Sequence, residues 1–375
     1  MKTFKLLLVA ACVASVSGCN SGSSKSTGQT TTPTKSVTPT EVERPAADHT
    51  FSNTELEALL TERNQILTSV KMSFEGKSYN QVQYAEELDE GQWVIKLQSS
   101  DASTVDLWLS NADDGDCLIY QPSVITDIFK CGESTRTSSD NSTVIQSTTQ
   151  NRKSDIQVEF QTDALKHISS IGNTVLTASN KDNKVTINTT FAFNEFFREI
   201  LNNDGSKERI NATLGVTTYL QMKDITSRFE GSEMTLAFST HIGGSADDDI
   251  NMYTGLLIKD NKMATHVTRT GSVFSGGTDL FAAGNPRILQ KTNDTIAIES
   301  NKQIGVHSWG NGEKTALDIP YTDVSHRKQA TYFDKVLGQQ GIDFYIFTLK
   351  SAPFNGEHWI TQADSDKYNF ITVIE

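Results

Sequence analysis

The stretch "VTRTGSVFSGGTDLFAAGNPR", residues 267–287, decides how the second half of this chain is read. A β-branched run breaks at Gly271, Ser275 is followed by Gly276 and Gly277, and a short apolar segment closes at Gly284. The pattern is that of a strand turning into a helix. Small residues at such a turn let the helix approach a sheet closely. A serine there also lies beside backbone N–H groups that have no intrahelical acceptor. Packing and chemistry are both open readings of the same residues.

The surrounding sequence alternates in type. "INATLGV" (210–216), "EMTLAFST" (233–240) and "MATHVTR" (263–269) read as strands. "TYLQMKDITSRFEG" (218–231) and "GGSADDDINMYTGLLIKDN" (243–261) read as helices, the second opening on glycines. Strands alternating with helices predict right-handed crossovers and a largely parallel sheet. Sites in such sheets form at the carboxyl ends of the strands. Both glycine pairs, Gly243-Gly244 and Gly276-Gly277, are expected there.

Upstream the texture differs. Residues 52–70 have helical spacing of Leu56, Leu59, Leu60 and Ile66, with Ser52 or Asn53 as the cap. Strand-like pieces follow at 92–98, 104–110, 155–160 and 184–190, separated by polar loops. The expectation is a mixed, strand-rich domain over 49–206 and an α/β domain over 207–375.

The start of the chain, "MKTFKLLLVAACVASVSGC", reads as an export signal over residues 1–18. Lys2 and Lys5 precede an apolar run too short to span a membrane. "VSGC" resembles a bacterial lipobox, which implies lipidation of Cys19; "VAAC" at Cys12 fits the pattern after a shorter apolar run. Residues 20–48 are rich in Ser, Thr, Gly and Pro and read as a tether. A flexible chain of that length has a root-mean-square span of roughly 30 Å. Asn20 after the cysteine, by resemblance to Gram-negative lipoproteins, implies the outer membrane, facing periplasm or exterior.

Without residues 1–18 the chain carries 31 Lys and Arg against 46 Asp and Glu, a net charge of −15. Such a surface repels phosphates, and no basic patch with interleaved aromatics occurs, so nucleic acid is not an expected partner. Cys117 and Cys131 lie fourteen residues apart in a chain read as exported, so a disulfide is expected. No histidine lies near them, and no metal or other cofactor is expected. Asp113, Asp114 and Asp116 read as an acidic turn rather than a calcium loop, because the rest of an EF-hand is missing. Asp247–Asp249 read as first-turn helix acids, and His167 as a surface residue.

Four segments, in order, resemble the ClpP/crotonase superfamily, and within it the serine peptidase branch that contains the Clp proteolytic subunit and signal peptide peptidase A. "LAFSTHIGGSADDDINMYTGLLI" resembles its strand, Gly-Gly and helix; "THVTRTGSVFSGGTDLFAAGNPR" its strand, nucleophile and buried helix. "QIGVHSWG" resembles the strand bearing the catalytic histidine, and "APFNGEHWITQADSDKYNFIT" the closing segment. The resemblance covers residues 207–375 and implies a ClpP-like ββα superhelix. It implies Ser275 as nucleophile, since Ser272 lacks a glycine two residues on, and His307 as its base. Gly244 and Gly276 would supply oxyanion N–H groups. Glu357 falls where the family has its acid, although the family uses aspartate, and Asn355 is nearby. Lys291 and Lys302 are the lysines available for a Ser–Lys dyad.

"VFSGGTDL" also resembles a segment of enoyl-CoA hydratase-type enzymes, but here the Gly-Gly turn precedes it and the histidine strand follows. The helix-like stretch 321–353, with an apolar face at Phe333, Val336 and Leu337, would pack on the sheet or on a second copy of the chain, leaving a homo-oligomer open. His241, His326 and Tyr332 are expected at the rim of the site. Two functions stand side by side. One is a lipid-anchored serine peptidase acting on peptides or proteins through an acyl-enzyme. The other is a non-catalytic envelope lipoprotein that binds a partner on the same scaffold, with Ser275 as a packing residue and His307 as a core histidine.

Overall fold

The computed structural model describes residues 43–89, 91–110, 117–121, 128–139, 141–150, 154–165, 167–194, 211–310 and 314–375. Cys19, Cys12, the export signal, most of the tether and the Asp113–Asp116 turn lie outside the described residues.

The first helix, Asn53–Leu67, is capped by Ser52, whose Oγ accepts from the Glu55 N–H at 3.1 Å. It is followed by an antiparallel sheet. Its strands are β1 (Val70–Phe74), β2 (Lys77–Asp89), β3 (Gln92–Ser99), β4 (Thr104–Ser110), β5 (Cys117–Tyr120), β6 (Ile128–Lys130), β7 (Thr135–Ser138), β8 (Ser142–Thr148) and β9 (Asp155–Gln161). They lie in the order β6-β5-β4-β3-β2-β1-β9-β8-β7. In β9, Ile156, Val158 and Phe160 are buried and their neighbours exposed, the period-2 signature of a sheet with one wet face. Cys117 on β5 and Cys131 just after β6 form a disulfide with Cα atoms 5.3 Å apart, buried among the aliphatic and aromatic side chains of this sheet.

The second half has mixed α/β architecture. After β12 (Ala212–Leu214) and the helix Val216–Arg228, a strand–strand–helix order recurs. It runs β13 (Glu233–Phe238), β14 (His241–Ser245) and the helix Asp248–Asp260, then β15 (Ala264–Val267), β16 (Ser272–Phe274) and the helix Gly276–Ala282. The third pair, β17 (Arg287–Leu289) and β18 (Ile304–Val306), precedes the helix Val324–Leu337. The first strand of each pair enters one parallel ladder and the second enters another. β13, β15 and β17 continue to β20 (Val373–Ile374), whereas β12, β14, β16 and β18 pair in that order and end on the antiparallel β19 (His358–Trp359). The sequence pattern predicted β12, β13 and β15, and the resemblance of "QIGVHSWG" implied β18; β17 was not predicted. Nor was β14 predicted as a strand: Gly243 and Gly244 lie within β14, not in a turn after β13.

Three other expectations change. The boundary expected at 206/207 assigns the hairpin β10 (Thr174–Lys181) and β11 (Lys184–Phe191) to the first unit. Its backbone belongs to the second: β11 runs parallel to β13 from Lys184↔Glu233 to Asn188↔Ala237. The two halves also share buried side chains, Tyr219, Ile250 and Tyr253 packing in one cluster with Phe74, Ile168 and Ile171. The stretch 321–353 is not one helix. It breaks at Gly338, whose φ of 64° no helix interior tolerates, and resumes as Gly341–Ser351. His326 and Tyr332, expected at a rim, are both 0% exposed. His326 bonds the Tyr345 hydroxyl at 2.7 Å and donates to the Ala316 carbonyl at 2.9 Å, while the Tyr332 hydroxyl donates to the Asp279 carbonyl at 2.6 Å.

Candidate active site

Ser275 joins β16 to the helix Gly276–Ala282 with φ 52° and ψ −124°. A non-glycine residue in that region is strained, and such strain persists only where the surroundings over-determine it. Four hydrogen bonds fix the turn, three of them made by Ser275 itself. The Ser275 N–H donates to the Gly305 carbonyl on β18 at 3.2 Å. The Thr278 hydroxyl donates to the same carbonyl at 2.6 Å. The Ser275 carbonyl accepts from the N–H groups of Thr278 at 2.8 Å and Asp279 at 3.2 Å, closing the first helical turn. A sharp strand-to-helix turn of this kind lifts a hydroxyl clear of the backbone, as a nucleophile elbow does.

The glycines answer the packing question directly. A Cβ on Gly276 would overlap the Ser245 side chain, and one on Gly277 would come within 2.8 Å of Ile242 Cγ2. The helix therefore rests on β14 with no room for a methyl group. Gly244 differs: a Cβ there would lie 3.5 Å from Ser275 Cβ and 3.8 Å from its Oγ. Its main chain thus flanks the serine side chain, while Gly276 is the first residue of the helix, where N–H groups lack intrahelical acceptors. Close packing of the helix on β14 thus requires glycine at 276 and 277, whereas at 244 a methyl group would make only ordinary contact with Ser275.

His307 follows β18. Its Nδ1–H donates to the Phe354 carbonyl at 2.6 Å, which fixes the tautomer and leaves Nε2 with the lone pair. Its ring packs on Phe274, centroids 4.9 Å apart. Burial holds the His307 imidazole below its ordinary pKa, opposed by the hydrogen bond to Phe354. Ser275 and His307 line one recess, together with Asp248, Asp279 and the rings of Trp309, Phe333 and Phe354. No hydrogen bond joins Ser275 Oγ to His307 Nε2 among the described contacts.

The structure does not bring Glu357 to His307. Its carboxylate accepts from Trp359 Nε1 at 3.0 Å and lies 4.0 Å from Lys302 Nζ, and the acceptor on His307 is a main-chain carbonyl instead. Lys291 is turned away as well, its Nζ donating to the carbonyls of Asp294 and Ile296. Neither Lys291 nor Lys302 lines the recess. His241 bonds the Ser272 hydroxyl at 3.1 Å. Asp247 caps the helix Asp248–Asp260, accepting from the Ile250 N–H at 3.2 Å, as the first-turn reading expected, and is clamped by Arg63 at 2.8 Å.

Sequence reasoning missed Asp248 and Asp279 as wall residues of the recess. Burial pushes the Asp279 carboxyl well above the usual carboxylate range, and the Asp248 charge adds to it. Asp248 is pushed up to about 6 by loss of hydration and then by Asp247 and Asp249, with a Ser245 hydrogen bond opposing. The Asp248 side chain is nonetheless exposed to solvent at the recess, so it keeps much of its hydration. The spacing offered a signal for Asp279, which stands one helical turn after Ser275. Among the described residues no group of three or more metal-ligating side chains comes together.

No family model matches the chain, and no curated protein does. Among solved structures it is similar to an enoyl-CoA hydratase from Shewanella pealeana, at 12% identity and a TM-score of 0.31 over 53% of this chain and 68% of that one. It is also similar to a putative polyketide biosynthesis enoyl-CoA hydratase from Bacillus subtilis, at 12% identity and a TM-score of 0.30 over 53% of this chain and 70% of that one.

Proposed function

We propose that this chain is a serine hydrolase acting on peptide or protein substrates through an acyl-enzyme. The observation that carries the reading is the strained conformation of Ser275 at a strand–helix elbow whose recess also holds His307. The recurring strand–strand–helix order supports a superhelix of the ClpP type in the second half.

In the acylation step Ser275 Oγ attacks the substrate carbonyl carbon, and its proton passes to His307 Nε2. The carbonyl oxygen becomes an oxyanion beside the Gly276 N–H and the Gly244 main chain. Collapse breaks the bond to the leaving amine, which takes the proton from His307. Water then attacks the acyl-serine by the reverse sequence, giving the acid and free Ser275. The Phe354 carbonyl does the orienting work that a carboxylate does in most triads. It fixes the ring without supplying a full negative charge, so the imidazolium is less stabilised and a lower rate is expected than with an acid in place.

The test is labelling with a fluorophosphonate probe. Wild type should label at Ser275, and Ser275→Ala should lose both the label and peptide or ester hydrolysis while remaining folded. The export reading is proposed with it: the mature chain begins at lipidated Cys19 on the outer membrane. Metabolic incorporation of a fatty-acid analogue should be abolished by Cys19→Ala.

A partner-binding role without turnover is the second reading. It is favoured by the missing Ser275–His307 hydrogen bond and by the absence of a carboxylate on His307 among the described residues. A wild type that resists the probe at every pH, with Ser275→Ala changing only stability, would select it.

A further inference from the structure

The recess that holds Ser275 carries more than the groups an acyl transfer needs. Asp279 lies one turn along the helix that Ser275 opens, its N–H bonded to the Ser275 carbonyl at 3.2 Å. Its carboxyl lines the same recess and takes no hydrogen bond or ion pair among the described residues. Asp248, at the start of the helix Asp248–Asp260, lines the recess as well. No Lys or Arg is among the recess residues. The nearby cations are engaged elsewhere: Arg63 on Asp247 at 2.8 Å, and Lys328 on Asp249 at 2.8 Å and Glu55 at 2.9 Å.

Asp279 is half-buried, and a carboxyl partly stripped of water with no protein partner is unfavourable unless water or a ligand completes it. Neither Asp279 nor Asp248 is placed to orient His307, whose Nδ1 is already bonded to Phe354. The rings of Trp309, Phe333 and Phe354 line the same recess as the carboxyls. Aromatic faces bind the apolar stem and the charged head of a cationic side chain, and a guanidinium or ammonium ion meets a carboxylate at the end.

We propose that this recess is a specificity pocket for a lysine or arginine side chain next to the scissile bond, with Asp279 as its counter-ion and Asp248 as a second acidic wall. This inference rests on the hydrolase reading. Binding draws the substrate cation against Asp279, and so places the adjoining carbonyl at the helix start beside Ser275. Neutral side chains of similar size leave the Asp279 carboxyl uncompensated and are selected against.

The experiment has a binding arm and a turnover arm. In the first, p-aminobenzamidine is titrated by its fluorescence into the full-length protein, beside the neutral analogue p-aminobenzamide. The amidine should bind one to one and the amide at least tenfold more weakly. Asp279→Asn should weaken the amidine at least tenfold, and Asp279→Glu should restore part of the affinity. In the second, thiobenzyl esters of arginine, lysine, phenylalanine and alanine are compared. The kcat/KM ratio of arginine to phenylalanine should exceed ten in wild type and fall toward one in Asp279→Asn. Equal binding of amidine and amide, or an unchanged ratio in Asp279→Asn, overturns the proposal. Amidine binding that depends on Asp279 with no ester turned over at all overturns the hydrolase reading and leaves a cation-binding pocket. If Asp279→Asn does not fold by circular dichroism, Asp248→Asn takes its place, with the same direction of change expected.

Discussion

The Nδ1–H of His307 points at the main-chain carbonyl of Phe354, 2.6 Å away, and at no carboxylate. Fixing a catalytic imidazole needs an acceptor of the right geometry, and a carbonyl is sufficient for that. What the carbonyl omits is charge. Burial therefore dominates, and the ring is held below its ordinary pKa.

That sign sets the pH dependence. On the proposed hydrolase reading the neutral imidazole is the base, so kcat/KM should be full above the His307 pKa and fall as pH drops through it. Because the folded value lies below the usual 6.5, the acidic limb should have its midpoint below 6.5. A pH–rate profile on a neutral ester from pH 4.5 to 8 reads this directly. A midpoint near 7 or higher would mean that a negative charge does reach His307.

Ser275 holds a conformation that glycine adopts without strain. Ser275→Gly should therefore raise stability, by about 1–3 kcal/mol if the strain is of the usual size, while abolishing probe labelling. Thermal melts of wild type, Ser275→Ala and Ser275→Gly separate the loss of the hydroxyl from the relief of the backbone. A glycine variant no more stable than the alanine variant would show that the elbow stores no strain.

Glu357 engages Trp359 and Lys302 at a surface where it is 41% exposed on its side chain. Glu357→Gln should leave kcat/KM within about threefold of wild type, since exposed pairs of this kind contribute little. His307→Ala should lower it by several orders of magnitude. Comparable losses in the two variants would restore Glu357 to the machinery.

The Cys117–Cys131 bridge closes a short loop at the β5–β6 end of the antiparallel sheet. For a loop of this length the chain-entropy estimate is about 3 kcal/mol. Replacing both cysteines by serine should lower the denaturation midpoint accordingly, measured by urea unfolding. Non-reducing mass spectrometry of wild type should find the two residues linked.

Much of the second half was legible because its signals are local. Gly276 and Gly277 after Ser275, the acids of the 247–249 turn and the β-branched runs each follow from backbone geometry or helix electrostatics. β14 was not legible, because "HIGGS" has two glycines where a strand normally has side chains. Its strand state is imposed by pairing with β12 and β16. The hairpin β10–β11 was assigned to the wrong unit for the same reason: which sheet a strand joins is a property of distant partners. At the site, Ser275 and His307 were visible as residue types. The Phe354 carbonyl was not, because every residue has one. Asp279 was overlooked because nothing in its spelling marks a carboxyl that meets no partner.

The pairing of β11 with β13 bears on how the molecule is handled in pieces. A fragment cut at the expected boundary, beginning at residue 207, would strip the cover from β13 and present "EMTLAF" as a free, apolar border with unpaired amides. Such borders recruit strands from other molecules, and the fragment should precipitate or form β-rich aggregates on expression. Starting the fragment near Asn173 keeps the hairpin in place and replaces that border with β10, whose Ser179, Asn180 and Lys181 end is polar and solvent-facing. The hairpin thus guards the edge of the second half, and solubility of that half in isolation should depend on it.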